Sequence, residues 1–141
     1  MEYKRFNDTL LVRIDRGEEI IEAVRRVAER EHIRLASVEA LGATDDFTVG
    51  VYDVAAKRYD SKTFTGPFEI VSLTGTITEK DGAFYQHLHM SAGNRNGEVF
   101  GGHLNRAVVS VTCEMVIRVL PGAVGRAPDP ETGINLLRFA D

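Results

Sequence analysis

The sequence predicts an α+β fold, in which one main helix near the N-terminus is followed by a mostly antiparallel β-sheet of about seven strands. Apolar residues recur at helical spacing early in the chain and alternate with polar residues over most of the remainder. Turn signals containing Gly, Asp and Pro separate the alternating runs. The 141 residues fit one domain over 1–141, without an internal repeat or a linker.

The first predicted elements are a strand at 8–15 and the helix at 17–33. The strand segment DTLLVRID is apolar and β-prone. Glu18 and Glu19 lie in the first turn of the helix, where the helix dipole favours acidic side chains. Five apolar residues form the predicted buried stripe of this helix: Ile20, Ile21, Val24, Val27 and Ala28.

The later strands are predicted where the apolar period becomes two residues. They lie near 34–41, 46–53, 59–65, 68–79, 83–92, 107–119 and 134–139. The turns between them are predicted at Asp45-Asp46, Gly66-Pro67, Lys80 to Gly82, Gly93 to Gly97 and Pro121-Gly122. We expect the segment 121–133 to be a turn-rich loop that leads into the last strand.

Composition restricts the class of protein and its location. The formal net charge of −4 argues against a nucleic-acid binder, which generally presents a basic face to phosphates. The single cysteine, Cys113, cannot form an internal disulfide and lies on the apolar face of its strand, so we expect a core residue in a reducing compartment. No secretory signal and no run of ~20 apolar residues is present. We therefore expect a soluble cytoplasmic protein without a membrane partner.

Three of the four histidines form a candidate metal site. His87 and His89 share one face of a predicted strand, where residues two apart lie about 6.5 Å from each other. Two imidazoles leaning together can meet one metal ion at ~2.0–2.1 Å per bond. His103 follows a glycine-rich stretch that can return it to the same strand. Three neutral imidazoles leave an open position for water or a ligand, and zinc is the expected metal, although other divalent transition metals also suit imidazole.

A structural interpretation of the same histidines stays open. His87 and His89 could lie on a solvated strand face, and His103 could cap a turn. His32 is expected to be structural, because it lies at the C-terminus of the predicted helix, which favours a cation. Glu69 lies among apolar neighbours and needs a partner, which could be a metal-bound histidine or an arginine across a subunit interface.

Three segments, in this order, resemble the plants-and-prokaryotes conserved (PPC) domain family: TGPFEIVSLTGTI at 65–77, HLHMS at 87–91 and GGHL at 101–104. The resemblance covers nearly the whole chain. It implies an α+β fold that assembles as a homotrimer, with metal binding in several prokaryotic members through the residues matched by His87, His89 and His103. Arg126 resembles a family arginine before DPETG; it could bind an anionic ligand at the open metal position or cap a strand end.

DNA binding carries over less directly from the family. Plant members combine the domain with AT-hook motifs in nuclear DNA-binding proteins, and many prokaryotic members are described as DNA-binding on the basis of prediction. An AT-hook has an Arg-Gly-Arg-Pro core, which this chain lacks. The resemblance therefore implies the assembly module without the DNA-binding motif.

Three functional hypotheses follow. The first is a metal-binding, homotrimeric PPC protein without enzymatic activity, with a regulatory or DNA-associated role and with itself, DNA or a regulatory protein as partner. The second is a metal-dependent hydrolase or lyase acting on a small acidic molecule, since zinc lowers the pKa of bound water to ~7. Such an enzyme needs a general acid or base, for which Glu69, Glu98 and Tyr85 are candidates, and no catalytic residue is assigned. The third is a direct DNA binder.

Overall fold

The computed structural model describes residues 1–139 and contains one α-helix and eight β-strands. In chain order these are β1 (Glu2–Phe6), β2 (Thr9–Asp15), α1 (Ile20–Arg30), β3 (Ala36–Asp53), β4 (Arg58–Lys80), β5 (Ala83–Gly93), β6 (Val99–Val119), β7 (Gly125–Pro128) and β8 (Asn135–Arg138). The α+β class with one early helix is therefore confirmed.

The main sheet has six strands in the order β1-β2-β6-β3-β4-β5, and every neighbouring pair is antiparallel. An additional antiparallel pairing joins β5 to the first half of β6. This pairing closes β3, β4, β5 and β6 into a ring, so one end of the sheet is a small barrel. Strands β7 and β8 form a separate two-stranded sheet. The predicted sheet of about seven strands is thus two sheets with eight strands in total.

Two predicted turns are wrong, because the chain continues as strand through both. Asp45-Asp46 lies inside β3, and Gly66-Pro67 lies inside β4. A β-bulge interrupts the β3–β4 pairing here, since Thr44 pairs with Phe68 but Asp46 pairs with Thr65. Such bulges bend a strand without ending it, and proline is tolerated there because the ladder is already interrupted. Because of this bend, β3 and β4 each run through both the barrel and the open part of the sheet.

Strand limits differ most at the β5–β6 hairpin. β6 begins at Val99, well before the predicted start at 107. The turn is tight because the Asn94 side-chain oxygen accepts hydrogen bonds from the backbone N–H groups of Asn96 (2.9 Å) and Glu98 (3.1 Å). The sequence prediction also missed β1, and it missed β7 within the expected loop at 121–133.

Helix α1 is defined by caps at both ends. The Glu19 side chain accepts a hydrogen bond of 2.8 Å from the Glu22 backbone N–H. At the other end His32 adopts a φ of 54°, its N–H donates to the Glu29 carbonyl, and the Ile33 N–H donates to the Ala28 carbonyl. This is a Schellman cap, in which His32 is the left-handed residue just past the helix. Within the part of the chain that the structure describes, no helix has the length and apolarity needed to cross a membrane.

The core lies between α1 and the sheet and continues into the barrel. Cys113 is fully buried, as predicted, and burial raises the pKa of its thiol to about 12. Val111 lies two residues before Cys113 and would share its buried face in a regular strand, but it is 69% exposed. The β3–β6 register shifts between Gly42 and Thr44, opposite the stretch that contains Val111, and this irregularity turns the side chain outward. Four aromatic residues of the barrel strands pack together, of which the first is fully buried and the others are half-buried: Phe47, Phe64, Phe68 and Phe100.

Candidate metal centre

Strand pairing at the barrel brings the three predicted histidines together. His89 on β5 lies directly opposite His103 on β6, and His87 lies two residues along β5 on the same face. On its other side His103 is paired with Gly50 of β3. The β5–β6 hairpin therefore makes neighbours of residues that are fourteen positions apart in the chain.

The spacing of the imidazoles fits a metal ion. The Nε2 atoms of His87 and His89 are 3.2 Å apart, and two nitrogen ligands on one tetrahedral zinc ion lie about 3.3 Å apart. The ring centroids of the three histidines are separated by 5.0, 5.1 and 5.5 Å. One ligand atom from each residue lies within 4.8 Å of the other two. This all-imidazole donor set suits zinc and leaves one position open.

The local electrostatics favour the neutral, metal-binding form of two of the imidazoles, those of His87 and His103. Burial, followed by the nearby His103, His89 and Arg126, lowers the pKa of His87 from 6.5 to about 4. Burial and the neighbouring His89 also lower the pKa of His103. At neutral pH each of these rings therefore offers a free lone pair.

The lowered pKa of His87 predicts an acid-sensitive stability of the metal-free protein. Between pH 6.5 and about 4 the unfolded chain binds a proton at this residue that the folded chain does not. The free energy of unfolding therefore falls as the pH drops through this window. We expect His87→Gln to lose less stability between pH 7 and pH 5 than the wild type, measured by urea unfolding after metal removal. If the free energy of unfolding of His87→Gln depended on pH as in the wild type, the acid sensitivity would not come from His87.

Glycines allow the strands around the histidines to approach closely. A Cβ atom on Gly102 would lie 2.6 Å from the Gly50 carbonyl oxygen. A Cβ atom on Gly75 would lie 2.0 Å from the His87 carbonyl oxygen. Both distances are too short for any other residue without movement of the backbone. The close approach that the glycine-rich stretch suggested therefore occurs at Gly102, and it fixes the backbone next to His103.

The histidines line a cavity of about 700 Å³ at this end of the barrel. Three tyrosines contribute to its wall: Tyr52, Tyr59 and Tyr85. Ile134 and Asn135 close it from the β7–β8 side. Among the described residues that line the cavity, none is an aspartate or a glutamate. The donor set suits a metal and a ligand, and tyrosine hydroxyls rather than carboxylates lie beside it.

Arg126 reaches this cavity from β7. Its Nε donates to the Thr78 hydroxyl (2.9 Å), one terminal nitrogen donates to the Asn135 carbonyl (3.0 Å), and the other donates to the Thr76 hydroxyl (3.4 Å). The guanidinium carbon lies 4.8 Å from the Tyr85 ring centroid. Arg126 thus lies in the cavity wall and also donates to the carbonyl of Asn135, the first residue of β8, so both roles expected for it stay open.

The two candidate glutamates lie elsewhere. Glu69 is exposed, and its cross-strand neighbours on β4 are Ala43 of β3 and Gly93 of β5. It borders a different cavity, which the histidines do not line. Glu98 accepts a hydrogen bond of 2.8 Å from the Asn94 side chain in the β5–β6 turn. The structure therefore does not bring Glu69 to the histidines, and Tyr85 alone of the three acid–base candidates lines their cavity.

Sequence reasoning missed the contribution of Tyr59. Its hydroxyl donates to the Asn105 side chain (2.7 Å), and its ring packs edge-on against His103. Gly50 makes room for it, since a Cβ there would lie 2.4 Å from the tyrosine hydroxyl. No local motif marks this residue, because it reaches the site through the pairing of β3 with β4 and β6.

Comparison with known proteins gives consistent matches over the full fold. The family model of the Plants and Prokaryotes Conserved domain matches residues 1–121. A candidate DNA-binding protein from Bacteroides thetaiotaomicron has a solved structure with a TM-score of 0.95 and 29% identity, and the match covers 98% of this chain and 96% of that one. The metal-containing protein from Archaeoglobus fulgidus has a TM-score of 0.86 and 33% identity, covering 98% and 97%.

One curated relative places a similar sequence within a longer protein. The bifunctional protein GlmU from a Synechococcus strain is 27% identical over 125 residues, which is 86% of this chain. The chain spans only 18% of the length of that relative. This match therefore concerns one segment of the larger protein.

Proposed function

Because the chain belongs to the Plants and Prokaryotes Conserved domain family, we propose that it is a metal-binding member, which holds zinc on His87, His89 and His103. The observation that carries this proposal is the 3.2 Å separation of the His87 and His89 Nε2 atoms, with His103 paired directly opposite His89. The similar protein from Archaeoglobus fulgidus is described as metal-containing, which supports the proposal.

Metal analysis tests this proposal directly. In protein purified without a histidine tag and supplied with zinc, we expect close to one zinc per chain in the wild type. His89→Ala removes one of three ligands and should lose nearly all of it, because its two remaining imidazoles form an incomplete site. His32→Ala, a matched control at the helix cap, should retain the wild-type content. Absence of zinc from the wild type, or equal content in His89→Ala, would overturn the proposal.

The proposed assembly is a homotrimer. Support comes from an apolar groove on the sheet, lined by Leu11, Leu41 and Val71, each of which is more than half exposed. Glu39 and Glu114 lie beside these residues. Exposed apolar patches of this kind are typical of protein–protein contacts. Sedimentation should give about three times the 15.6 kDa mass of one chain, and a monomer would contradict the assembly.

The proposed cellular role is regulatory or DNA-associated. The similarity to the Bacteroides protein supports an association with DNA, whereas the net charge of −4 disfavours a broad electrostatic contact with phosphates. A shift in the electrophoretic mobility of duplex DNA, weakening steeply as salt is added, would favour direct binding. If no mobility shift occurs at physiological ionic strength, a regulatory role would require binding to another protein instead of DNA.

A metal-dependent hydrolase or lyase is the second candidate, favoured by the cavity of about 700 Å³ beside the histidines. Bound zinc would supply a water of pKa ~7. Tyr85 lines the cavity and could hold a proton close to a bound molecule, whereas no described carboxylate lines it. A hydrolysis or elimination activity of the wild type would favour this function if Tyr85→Phe loses the activity but keeps the wild-type zinc content.

A further inference from the structure

We propose that the histidine cavity binds a small organic carboxylate, held by the Arg126 guanidinium at one end and by the open metal position at the other. This inference rests on the proposed metal site and adds the class of its ligand. It is based on the buried Arg126 in the cavity wall. Within residues 1–139, no carboxylate forms an ion pair with this side chain.

The position of Arg126 follows from strand pairing. Thr76 lies directly opposite His87, and Thr78 lies directly opposite Tyr85. Opposite residues of an antiparallel pair have Cβ atoms about 4.5–5.5 Å apart and share a face of the sheet. Because Arg126 donates to both threonine hydroxyls, its guanidinium lies on the face that carries the imidazoles, one side chain away from His87.

The charge of Arg126 lacks a partner within residues 1–139. Its side chain is 9% exposed and forms no ion pair with a described aspartate or glutamate. Its hydrogen-bond acceptors are two hydroxyls and a carbonyl, which are all neutral. A buried cation in such surroundings is costly without an anion. A divalent metal on neutral imidazoles would add further positive charge, so the cavity favours an anionic ligand.

The free donors of Arg126 define the shape of that anion. A guanidinium has five N–H groups, and three of them are used by Thr78, Asn135 and Thr76. One N–H remains on each terminal nitrogen, and an arginine with two free N–H groups can donate to both oxygens of a carboxylate. The Tyr85 ring lies against the guanidinium and holds its plane. A lone arginine flanked by tyrosines and Ile134 suits an organic carboxylate better than a phosphate, which several cations or backbone amides usually bind.

Cobalt-loaded protein gives a test that separates this inference from the metal site. Cobalt content is measured first, and acetate is then titrated while the visible absorption of the metal is followed. We expect acetate to change the spectrum of the wild type in a saturable manner. Arg126→Gln should keep its cobalt but bind acetate at least about tenfold more weakly, because it loses the charge-assisted fork. Arg138→Gln, an exposed arginine on the neighbouring strand, should behave as wild type.

Each outcome has a distinct meaning. Absence of cobalt from the wild type would overturn both proposals. Cobalt that is bound but indifferent to acetate, or equal acetate affinity in Arg126→Gln, would overturn the carboxylate site alone. Tighter binding of inorganic phosphate than of acetate would overturn the ligand class. If Arg126→Gln does not fold by circular dichroism, Arg126→Lys keeps the charge without the fork and should still weaken acetate binding; wild-type affinity in Arg126→Lys would contradict the role of the fork.

Discussion

Replacing Phe47 by alanine is expected to lower the free energy of unfolding by about 3–5 kcal/mol, the usual cost of deleting a buried aromatic ring. The Phe47 side chain is 0% exposed. Its ring stacks on Phe64 at 5.1 Å and meets Phe68 edge-on at 5.1 Å. Removal of the ring leaves a cavity where β3 crosses the barrel, and the paired strands cannot collapse into it without breaking their ladders.

Urea unfolding followed by circular dichroism measures this loss, with the protein concentration held equal because the proposed assembly would also stabilise the fold. Phe139→Ala is the matched control, since its ring is 71% exposed beyond β8 and its removal should change the free energy of unfolding by less than about 0.5 kcal/mol. A loss below about 1 kcal/mol in Phe47→Ala would show that the aromatic cluster does not anchor the barrel.

Replacing Gly102 by alanine is expected to weaken zinc binding by about 10–100-fold, the usual effect of misplacing a metal ligand through its support. The new Cβ would lie 2.6 Å from the Gly50 carbonyl oxygen. Strand β6 must therefore move away from β3 at the residue preceding His103, which itself is paired with Gly50. All three imidazoles remain present, so the loss reports on their spacing.

Competition with a chromophoric zinc chelator measures the affinity. Gly93→Ala is the matched control on β5, because a Cβ there meets nothing closer than the Val71 side chain at 3.5 Å. It should retain the wild-type affinity. Equal zinc affinity in Gly102→Ala and Gly93→Ala would mean that the close approach of β3 and β6 does not position His103.

Much of the secondary structure was predictable because its signals are local. The apolar stripe from Ile20 to Ala28 predicted the helix, and the Lys80–Gly82 turn is confirmed by positive φ angles of 53° at Asp81 and 76° at Gly82. The turns expected at Asp45-Asp46 and Gly66-Pro67 failed because bulges use the same residue types as turns. Which of the two forms depends on the partner strand, and no local pattern identifies that partner.

The sequence by itself determined the class of the fold, the face shared by His87 and His89, and their pairing with His103 as a candidate metal set. These follow from the period of two in a strand and from the chemistry of imidazole. Only the tertiary structure decided the surroundings of that set. Closure of the barrel through the β5–β6 pairing placed His103 opposite His89. Pairing of β3 with β4 and β6 brought Tyr59 to the site, and Glu69 lies at another cavity. Contacts across strands depend on register, which the whole sheet fixes and no single segment encodes.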